Sequence, residues 1–322
     1  MIVLACTIFL KGLAQAQYMI VTTKNGHKTA YNVDDIESVW LSDETEKEDI
    51  GQKLKILAVG NSFTEDGTWY LPQILAAAGI PKKRLLMYRI VAGGSSLEYW
   101  DKSLSKKATG KTYKIYGDET PLEEDGSYTL DDVLSFGWDV VVFHQVSSQY
   151  HSISSYEPYI TNLFSAAKRA GKGDTKIAWQ MVWSRSNDSK DQYITGTEGW
   201  RNYVYATKEL MQNHKIDILI PTGTTIQNAR NTEFCPEGDF TRDTQHIAYG
   251  AGRYLAAMTW YGTLIAPYFN RNIYDLNYKY TTAEWEKRLS NYESLDIEET
   301  NISTLIDCIG KAIVSPYSLG VR

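Results

Sequence analysis

Short apolar runs alternate along most of this chain with segments whose apolar residues recur at helical spacing, and this alternation limits the folds that it can adopt. Buried parallel strands are continuous apolar runs, and strands that alternate with helices assemble into one parallel sheet covered on both faces. The pattern predicts strands at 54–59, 85–91, 139–143, 176–181 and 217–220. It predicts helices near 69–78, at 158–170, near 197–213 and at 247–265, with one or two more after residue 268.

Two segments depart from this alternation. Residues 103–132 contain the β-rich runs Thr112–Tyr116 and Ser127–Leu130, which predict an inserted hairpin that could border a site at the sheet edge. Residues 17–41 contain β-rich arms around Asn25-Gly26, and an Asn-Gly pair is the strongest short hairpin signal. We therefore expect a small β-rich module ahead of the main domain, joined to it by a polar linker.

The amino terminus has features of an export signal. Met1–Leu13 is mostly apolar, and Ala14-Gln15-Ala16 has the small-x-small form of a signal-peptidase site. We expect residues 1–16 to be a signal peptide, 17–50 the hairpin module with its linker, and 51–322 the main domain. Secretion or periplasmic delivery ranks above lipoprotein anchoring, for which the match at Cys6 is weak.

Composition narrows the class of partner. The 322 residues carry a net charge of -6 and no basic cluster, whereas a nucleic-acid-binding surface needs concentrated Lys and Arg. We therefore expect no nucleic acid partner. We also expect no membrane span, because no stretch after the amino-terminal apolar segment approaches the length of a transmembrane helix. No Cys-x-x-Cys or His-Glu-x-x-His pattern is present, so neither a metal nor a cofactor is indicated. Cys235 and Cys308 would remain after signal removal and could pair in an oxidising compartment.

The strand at 54–59 ends in Gly60-Asn61-Ser62-Phe63, which places Ser62 at the carboxyl edge of the sheet, where open α/β folds bind ligands. A serine hydroxyl is a weak nucleophile at neutral pH, so it needs an adjacent base and a third group that orients the base. Asp243 and His246 lie three residues apart and supply both types of group. The sequence thus predicts a Ser62–His246–Asp243 system.

The other four histidines are weaker candidates for the base. His144 and His151 follow the strand at 139–143, but neither has a carboxylate at a spacing that would orient it. A hydrogen-bonded structural or substrate-facing role fits both better. His214 precedes a strand at the opposite end of the sheet, and His27 lies in the amino-terminal hairpin.

On these motifs, residues 54–265 resemble the SGNH (GDSL-like) hydrolase superfamily and, within it, the bacterial branch named DUF4886. The resemblance implies a three-layer α/β/α flavodoxin-like fold with a central parallel sheet, here with a small β-rich segment at the amino terminus that is similar to those of exported Bacteroidetes proteins. In that superfamily the first block carries the nucleophile, here Ser62, and Asn61 stands where Asp is usual. The resemblance also implies His246 and Asp243 as the remaining catalytic residues.

Two further blocks predict the oxyanion hole. Ala92-Gly93-Gly94-Ser95 follows the strand at 85–91, and a residue without a side chain lets its backbone N–H approach the substrate closely. We expect Gly94, with Gly93 next, to donate beside the N–H of Ser62. The third block, beginning at His144, resembles that of some carbohydrate acetylesterases, which implies the Gln145 amide as a further donor. Ser147 and Ser148 are competitors for that role.

Four residues are predicted to contact substrate: Asn61, Trp183, Thr224 and Arg242. Trp183, like Trp69 and Trp100, lies near a strand exit where an indole could stack on a sugar, although Trp at such places is more often core. Thr224 could instead cap a helix, and Arg242 could instead pair with a carboxylate.

The expected activity is that of a secreted serine esterase that removes acyl groups, above all O-acetyl groups, from a small-molecule or glycan ester through an acyl-enzyme. A lipid esterase or thioesterase would share the catalytic residues but would need a wide apolar groove. A non-catalytic glycan-binding protein is the third reading, and the unusual third block motivates it.

Overall fold

The computed structural model describes residues 53–171, 173–276 and 295–320, together with the backbone of residues 18–22 and 28–32. The chain divides into two compact units, Met1–Ile50 and Gly51–Arg322. In the first unit, strand β1 (Tyr18–Thr22) pairs antiparallel with β2 (Lys28–Asn32), and these are the two arms predicted around the Asn-Gly pair. The expected signal segment 1–16 and the linker 42–51 lie outside the described residues.

A seven-stranded sheet forms the centre of the second unit. Its strands are β3 (Leu54–Gly60), β4 (Leu85–Val91), β5 (Gly110–Tyr116), β6 (Ser127–Tyr128), β7 (Val140–Phe143), β8 (Lys176–Gln180) and β9 (Ile218–Ile220). They lie in the order β6-β5-β4-β3-β7-β8-β9, and the run from β4 to β9 is parallel. This run has the 2-1-3-4-5 order of flavodoxin-like folds, so the predicted fold class is confirmed.

The central strands are buried on both faces, which is why they are continuous apolar runs rather than alternating ones. Every residue of β4 and β7 is buried, and β3 has one partly exposed residue, Lys55. The predicted hairpin in the insertion is also present. Strand β5 pairs antiparallel with β4, and β6 pairs antiparallel with β5, so the insertion extends the sheet beyond its parallel part.

Nine helices are described: α1 (Ser62–Thr68), α2 (Leu71–Ala77), α3 (Leu97–Leu104), α4 (Leu130–Leu134), α5 (Tyr159–Ala170), α6 (Gly196–Asn213), α7 (Thr222–Arg230), α8 (Ala251–Trp260) and α9 (Glu299–Val314). The connection from β3 to β4 runs in the opposite direction along the sheet to those that follow. Because such crossovers are right-handed, α1 and α2 cover one face while α3 to α6 cover the other. None of the helices in the described ranges is both long and apolar enough to cross a bilayer.

Two predicted helices differ from those observed. The helix expected near 69–78 is two short helices, and the first begins at Ser62 because the Asn61 side chain accepts a hydrogen bond from the N–H of Phe63 at 2.9 Å. The helix expected at 247–265 begins later, at Ala251, after Gly250 adopts a φ of 66°. Its last turn, Tyr261–Ile265, is π-helical. The residues before it form a loop, which carries His246.

Candidate active site

Ser62, His246 and Asp243 form a continuous hydrogen-bonded chain. The Ser62 Oγ lies 2.9 Å from the His246 Nε2, and the His246 Nδ1 lies 2.7 Å from the Asp243 Oδ2. An ionised carboxylate can only accept, so Nδ1 carries the proton that it donates to Asp243. In the neutral imidazole, Nε2 is then free to accept the hydroxyl proton of Ser62. The arrangement can therefore deprotonate Ser62 and stabilise the imidazolium that results.

The turn between β3 and α1, which carries Ser62, is held by hydrogen bonds of the Asn61 side chain. Asn61 is buried, caps α1 and donates from Nδ2 to the carbonyl of Ser95 at 2.9 Å. Gly60 is required at the strand end, because a Cβ there would lie 2.2 Å from both the His144 Nε2 and the Thr64 Oγ1. Asn61 was predicted to contact substrate, whereas the structure uses its side chain to fix the turn that presents Ser62.

Asp243 and His246 lie on a tight loop, residues 241–247, which we call the catalytic loop. Its ends are joined by an antiparallel bridge between Thr241 and Ile247, and Thr244 at its tip has a φ of 67°. The Asp243 Oδ1 accepts hydrogen bonds from the backbone N–H groups of Gln245 at 3.1 Å and His246 at 2.7 Å. Because both members sit in one loop, their mutual geometry is set locally.

The environment of Asp243 keeps it ionised. Partial burial raises its pKa, but the hydrogen bonds from the side chain and backbone of His246, the charge of His246 and the N–H of Gln245 outweigh burial. The pKa of Asp243 is lowered as a result to about 2. Asp243 is therefore a permanent acceptor for the imidazole at any pH at which such an enzyme would work.

Trp183 contacts both the catalytic loop and α1. Its indole is fully buried, stacks on Phe63 at 4.3 Å between ring centroids, and donates from Nε1 to the carbonyl of Gln245 at 2.9 Å. The prediction that Trp183 contacts substrate is not supported, because no face of the ring is open. Its position couples the residue after Ser62 to the loop of His246.

A buried ionic cluster joins the same two elements. Asp66, one turn after Ser62 in α1, accepts hydrogen bonds from Arg242 Nη1 at 2.9 Å and from Arg253 Nη2 at 2.7 Å. The two guanidinium groups also lie over the ring of Tyr249, at 4.8 and 4.4 Å from its centroid. Of the two roles predicted for Arg242, the structure places it in the pair with a carboxylate. Nothing local in the sequence singles out Asp66 or Arg253, since their partners are 176 and 187 positions away.

The glycine turn after β4 is tied to the nucleophile's turn. Ser95 donates from Oγ to the carbonyl of Gly60 at 3.0 Å, and the N–H of Ser95 closes the turn on Ala92 at 3.1 Å. Gly94 has a φ of 64°, which favours glycine, and a Cβ there would meet no atom within 4 Å. The turn is therefore open to a substrate. As the first residue of α1, Ser62 also contributes an N–H that has no acceptor inside the helix.

Gln145 is engaged elsewhere, so its predicted role as an oxyanion donor is not supported. Both of its amide hydrogens go to Ser155, to the carbonyl at 3.2 Å and to the Oγ at 3.1 Å. Its Oε1 accepts from the backbone N–H groups of Leu97 and Val146, and the side chain is fully buried. Gln145 thus joins the loops after β4 and β7.

The imidazole of His144 is buried and hydrogen-bonded through both ring nitrogens, which indicates a structural role. It is buried, its Nδ1 donates to the carbonyl of Gln145 at 2.9 Å, and its Nε2 accepts from the hydroxyl of Thr64 at 2.8 Å. Burial lowers the pKa of His144 to about 4, although the hydrogen bond to Gln145 acts in the opposite direction. A neutral imidazole with both nitrogens occupied cannot act as the base for Ser62.

The remaining predicted substrate contacts are also internal. Thr224 is fully buried between the indole of Trp200 and the carbonyl of Pro316, at 3.0 and 2.5 Å from its Oγ1. Trp100 is 1% exposed. The ring of Trp69 is flanked by the guanidinium groups of Arg89 and Arg253. Thr224 and Trp100 therefore have no face open to a sugar, and the partly buried Trp69 is in contact with two cations.

The two cysteines of the main unit are free thiols, so the pairing considered from the sequence is absent. Burial raises the pKa of both Cys235 and Cys308 to about 11. Within the described ranges, no group of three His, Cys, Asp or Glu side chains is placed to hold a metal ion.

Comparisons with known proteins agree with this architecture. A sequence model of the family described as "Domain of unknown function (DUF4886)" matches residues 55–291. A crystal structure of a DUF4886 family protein from Bacteroides uniformis is 23% identical, with a TM-score of 0.68 over 84% of this chain and 98% of that one. At this identity the likeness establishes the shared fold. No curated protein matches the chain.

Two more distant solved structures were found. A candidate GDSL-like lipase from Parabacteroides merdae is 14% identical, with a TM-score of 0.44 over 66% of this chain and 96% of that one. TesA is 14% identical, with a TM-score of 0.38 over 65% of this chain and 97% of that one.

Proposed function

The chain belongs to the DUF4886 family, and we propose from its own geometry that it is a serine esterase. The observation that carries this proposal is the hydrogen-bonded chain from Ser62 through His246 to Asp243, with contacts of 2.9 and 2.7 Å. A nucleophile, a base in reach of it and a carboxylate that orients the base are the three parts that acyl transfer needs.

The first half of the reaction acylates the enzyme. His246 takes the proton of Ser62 through Nε2 as the hydroxyl oxygen attacks the ester carbonyl. The N–H groups of Ser62 and Gly94 donate to the oxyanion that forms, and Asp243 stabilises the imidazolium. His246 then gives its proton to the departing alkoxide, the ester C–O bond breaks, and the acyl group remains on Ser62.

The second half repeats these steps with water. His246 takes a proton from the water molecule that attacks the acyl-enzyme, and the same donors meet the second oxyanion. Ser62 leaves as the alkoxide and recovers a proton from His246. The products are a carboxylic acid and the free enzyme.

We propose a short acyl group such as acetyl. A long acyl chain needs a wide apolar groove, and an apolar surface beside the site would support one. Of the exposed large apolar side chains in the described ranges, only Tyr193 lies on a loop that directly follows one of the strands β3, β4, β7 and β8. A lipid esterase or thioesterase is therefore the weaker candidate.

We propose carbohydrate as the carrier of the acyl group. The block that begins at His144 resembles that of some carbohydrate acetylesterases, and Tyr193 offers an aromatic ring that is 57% exposed. The small-x-small pattern before Gln17 further supports export of the enzyme. The division into a signal peptide at 1–16, a module at 17–50 and a catalytic domain at 51–322 is part of the same proposal.

Labelling with a fluorophosphonate probe tests the nucleophile directly. Mass spectrometry of the labelled protein should place the adduct on Ser62, and hydrolysis of 4-nitrophenyl acetate should fall at least about a thousandfold in Ser62→Ala. Ser105→Ala, at the end of α3, is the matched control and should behave as the wild type.

The same assay separates the alternatives. Faster hydrolysis of 4-nitrophenyl decanoate than of the acetate would favour a lipid esterase. Absence of both the adduct and turnover in folded wild-type protein would leave a glycan-binding protein as the remaining candidate.

A further inference from the structure

The loop after β8 carries a guanidinium group for which the described residues supply no partner. The Arg185 side chain makes no hydrogen bond or ion pair with any residue in those ranges, and its Nε is buried. Other arginines in this part of the fold are paired: Arg230 donates to Ser184, and Arg242 and Arg253 donate to Asp66. Arg185 is partly exposed, and a buried nitrogen such as its Nε normally has a partner because desolvating a polar group is costly. Arg185 is therefore poised for an anion from outside the fold.

The backbone of Arg185 is held beside the catalytic loop. Its N–H donates to the carbonyl of Ile194 at 2.7 Å, and its own carbonyl accepts from Gly196 at 2.8 Å. The N–H of Ser186 donates to the carbonyl of Thr244 at 3.0 Å, and Thr244 is the residue after Asp243. The position of Arg185 relative to the catalytic loop is thus fixed before any ligand arrives.

Tyr203 lies between Arg185 and the loop that follows β7 in electrostatic terms, because it responds to the charge of the first and bonds to the second. The hydroxyl of Tyr203 donates to the carbonyl of Ser147, on the loop after β7, at 2.7 Å. Burial raises the pKa of Tyr203, and the charge of Arg185 acts in the opposite direction, so the guanidinium is within electrostatic reach of that hydroxyl. Strand β7 pairs with β3, which ends at the turn of Ser62. Arg185 therefore borders the same sheet edge as the nucleophile.

The side chains of His151 and Tyr193 lie on the loops that follow β7 and β8, at the same edge of the sheet. The His151 Nδ1 is buried and has no partner in the described ranges, and its ring stacks on Tyr193 at 5.7 Å between centroids and 16° between planes. Tyr193 precedes Ile194, which accepts the N–H of Arg185. We call Arg185, His151 and Tyr193 the rim cluster. It combines a cation, a polar ring nitrogen and an exposed aromatic ring.

We propose that the rim cluster binds the carboxylate of an acidic ester substrate, with Arg185 as the anion-binding residue and Tyr193 against the sugar ring. The planar fork of a guanidinium matches the two oxygens of a carboxylate. Asp191 accepts the N–H of Tyr193 and adds negative charge nearby, which disfavours a doubly charged phosphate more than a single carboxylate. This inference rests on the proposed function and names its substrate class: an O-acetylated sugar acid.

The test compares two substrates that differ only in the acid group, a mono-O-acetylated methyl uronoside and its methyl ester, with acetate release as the readout. Wild-type kcat/KM should be at least about tenfold higher for the acid. Arg185→Gln should lower kcat/KM for the acid about ten- to hundredfold and bring the ratio between the two substrates close to one. Arg201→Gln, in an exposed ion pair on α6, is the control and should leave the ratio unchanged.

Equal wild-type values for the two substrates, or a ratio that Arg185→Gln does not change, would overturn the inference. If neither substrate releases acetate although 4-nitrophenyl acetate is hydrolysed, the substrate class is wrong and the proposed function stands. If 4-nitrophenyl acetate is not hydrolysed either, the proposed function fails, and calorimetry decides the binding site separately. The deacetylated methyl uronoside is then titrated into Ser62→Ala and into Ser62→Ala with Arg185→Gln, after thermal unfolding has shown that both are folded. If the uronoside binds to Ser62→Ala but not to the variant that also carries Arg185→Gln, the result supports the site. Equal binding to both variants, or binding to neither, rejects it.

Discussion

The carboxylate of Asp66 lies 2.9 Å from Nη1 of Arg242, the residue immediately before Asp243. Asp66 is in α1, which begins with Ser62, so this contact joins the element of the nucleophile to the loop of the base. Arg253, from α8, donates from Nε and Nη2 to the Oδ1 of the same carboxylate. Asp66 is therefore a positioning residue that acts through Arg242.

Asp66→Asn should lower both stability and turnover. The substitution removes the negative charge that Asp66 presents to two buried guanidinium groups, so the free energy of unfolding should fall by about 3 kcal/mol. A loop displaced from Ser62 should also lower kcat about ten- to hundredfold at a temperature where the variant is still folded. Urea titration and the rate of fluorophosphonate labelling of Ser62 measure the two effects.

Glu198→Gln is the control for this prediction, because Glu198 forms an exposed ion pair with Arg201. It should change neither quantity. A variant of Asp66 that loses stability but labels at the wild-type rate would show that the cluster is structural only.

Asp243→Asn should lower kcat roughly a thousandfold, because an amide can hold the imidazole in the wrong tautomer. It should also remove a pH-dependent part of the stability. The pKa of Asp243 is depressed in the folded state from 3.8 to about 2, so its contribution is fully present above pH 4 and is lost as the pH falls toward 2.

Urea unfolding at pH 6, 5, 4 and 3 checks the sign. The stability difference between wild type and Asp243→Asn should be constant down to about pH 4 and should shrink below it. A difference that grows as the pH falls would contradict the hydrogen bonding described for Asp243.

Gly60→Ala should destabilise the protein by about 1–3 kcal/mol, because the added methyl group would overpack the contact between His144 and Thr64. A Cβ at that place would lie 2.2 Å from an atom of each. Gly93→Ala is the matched control, since a Cβ there would have no neighbour within 4 Å. Denaturant titration should show a lower free energy of unfolding for Gly60→Ala only. Equal free energies of unfolding for the two variants would contradict the predicted clash of the new methyl group with His144 and Thr64.

His144 should make stability depend on pH near neutrality. Burial lowers its pKa from 6.5 to about 4, so between these values the unfolded chain binds the proton and the folded chain does not. Stability should therefore fall as the pH falls from about 6.5 to about 4, by at most about 1.4 kcal/mol per pH unit from this group. The slope, from urea titrations in that window, should be smaller in His144→Gln. An unchanged slope would mean that His144 titrates normally.

Several elements follow from local sequence alone. Strand β4 is observed with the predicted bounds, and α5 lies between Pro158 and Gly171 as expected. The helix that starts at Ser62 could have been found, because Asn61 is a favourable cap two residues before the N–H that it accepts. The prediction instead relied on the helical spacing of apolar residues that begins at Leu71, and it therefore placed the start of this helix near residue 69.

The candidate site residues also fall into two groups: those whose partners are near in sequence and those whose partners lie on other elements. Asp243 and His246 contact each other within one loop, so their spacing predicted their pairing. Residue type and position near a strand exit predict substrate contacts for Trp183 and Thr224, and the resemblance of the third block implies an oxyanion donor at Gln145. Their actual partners lie on other elements, and those contacts bury them.

The sequence by itself determined the strands, the turn of Ser62 and the Asp243–His246 pair, because each depends on residues a few positions apart. Only the tertiary structure decided that His246 reaches Ser62 across 184 positions, that Asp66 binds two arginines, and that Arg185 has no partner in the described ranges. The physical reason is that hydrogen bonding and burial depend on distance in space, which packing of the whole chain sets.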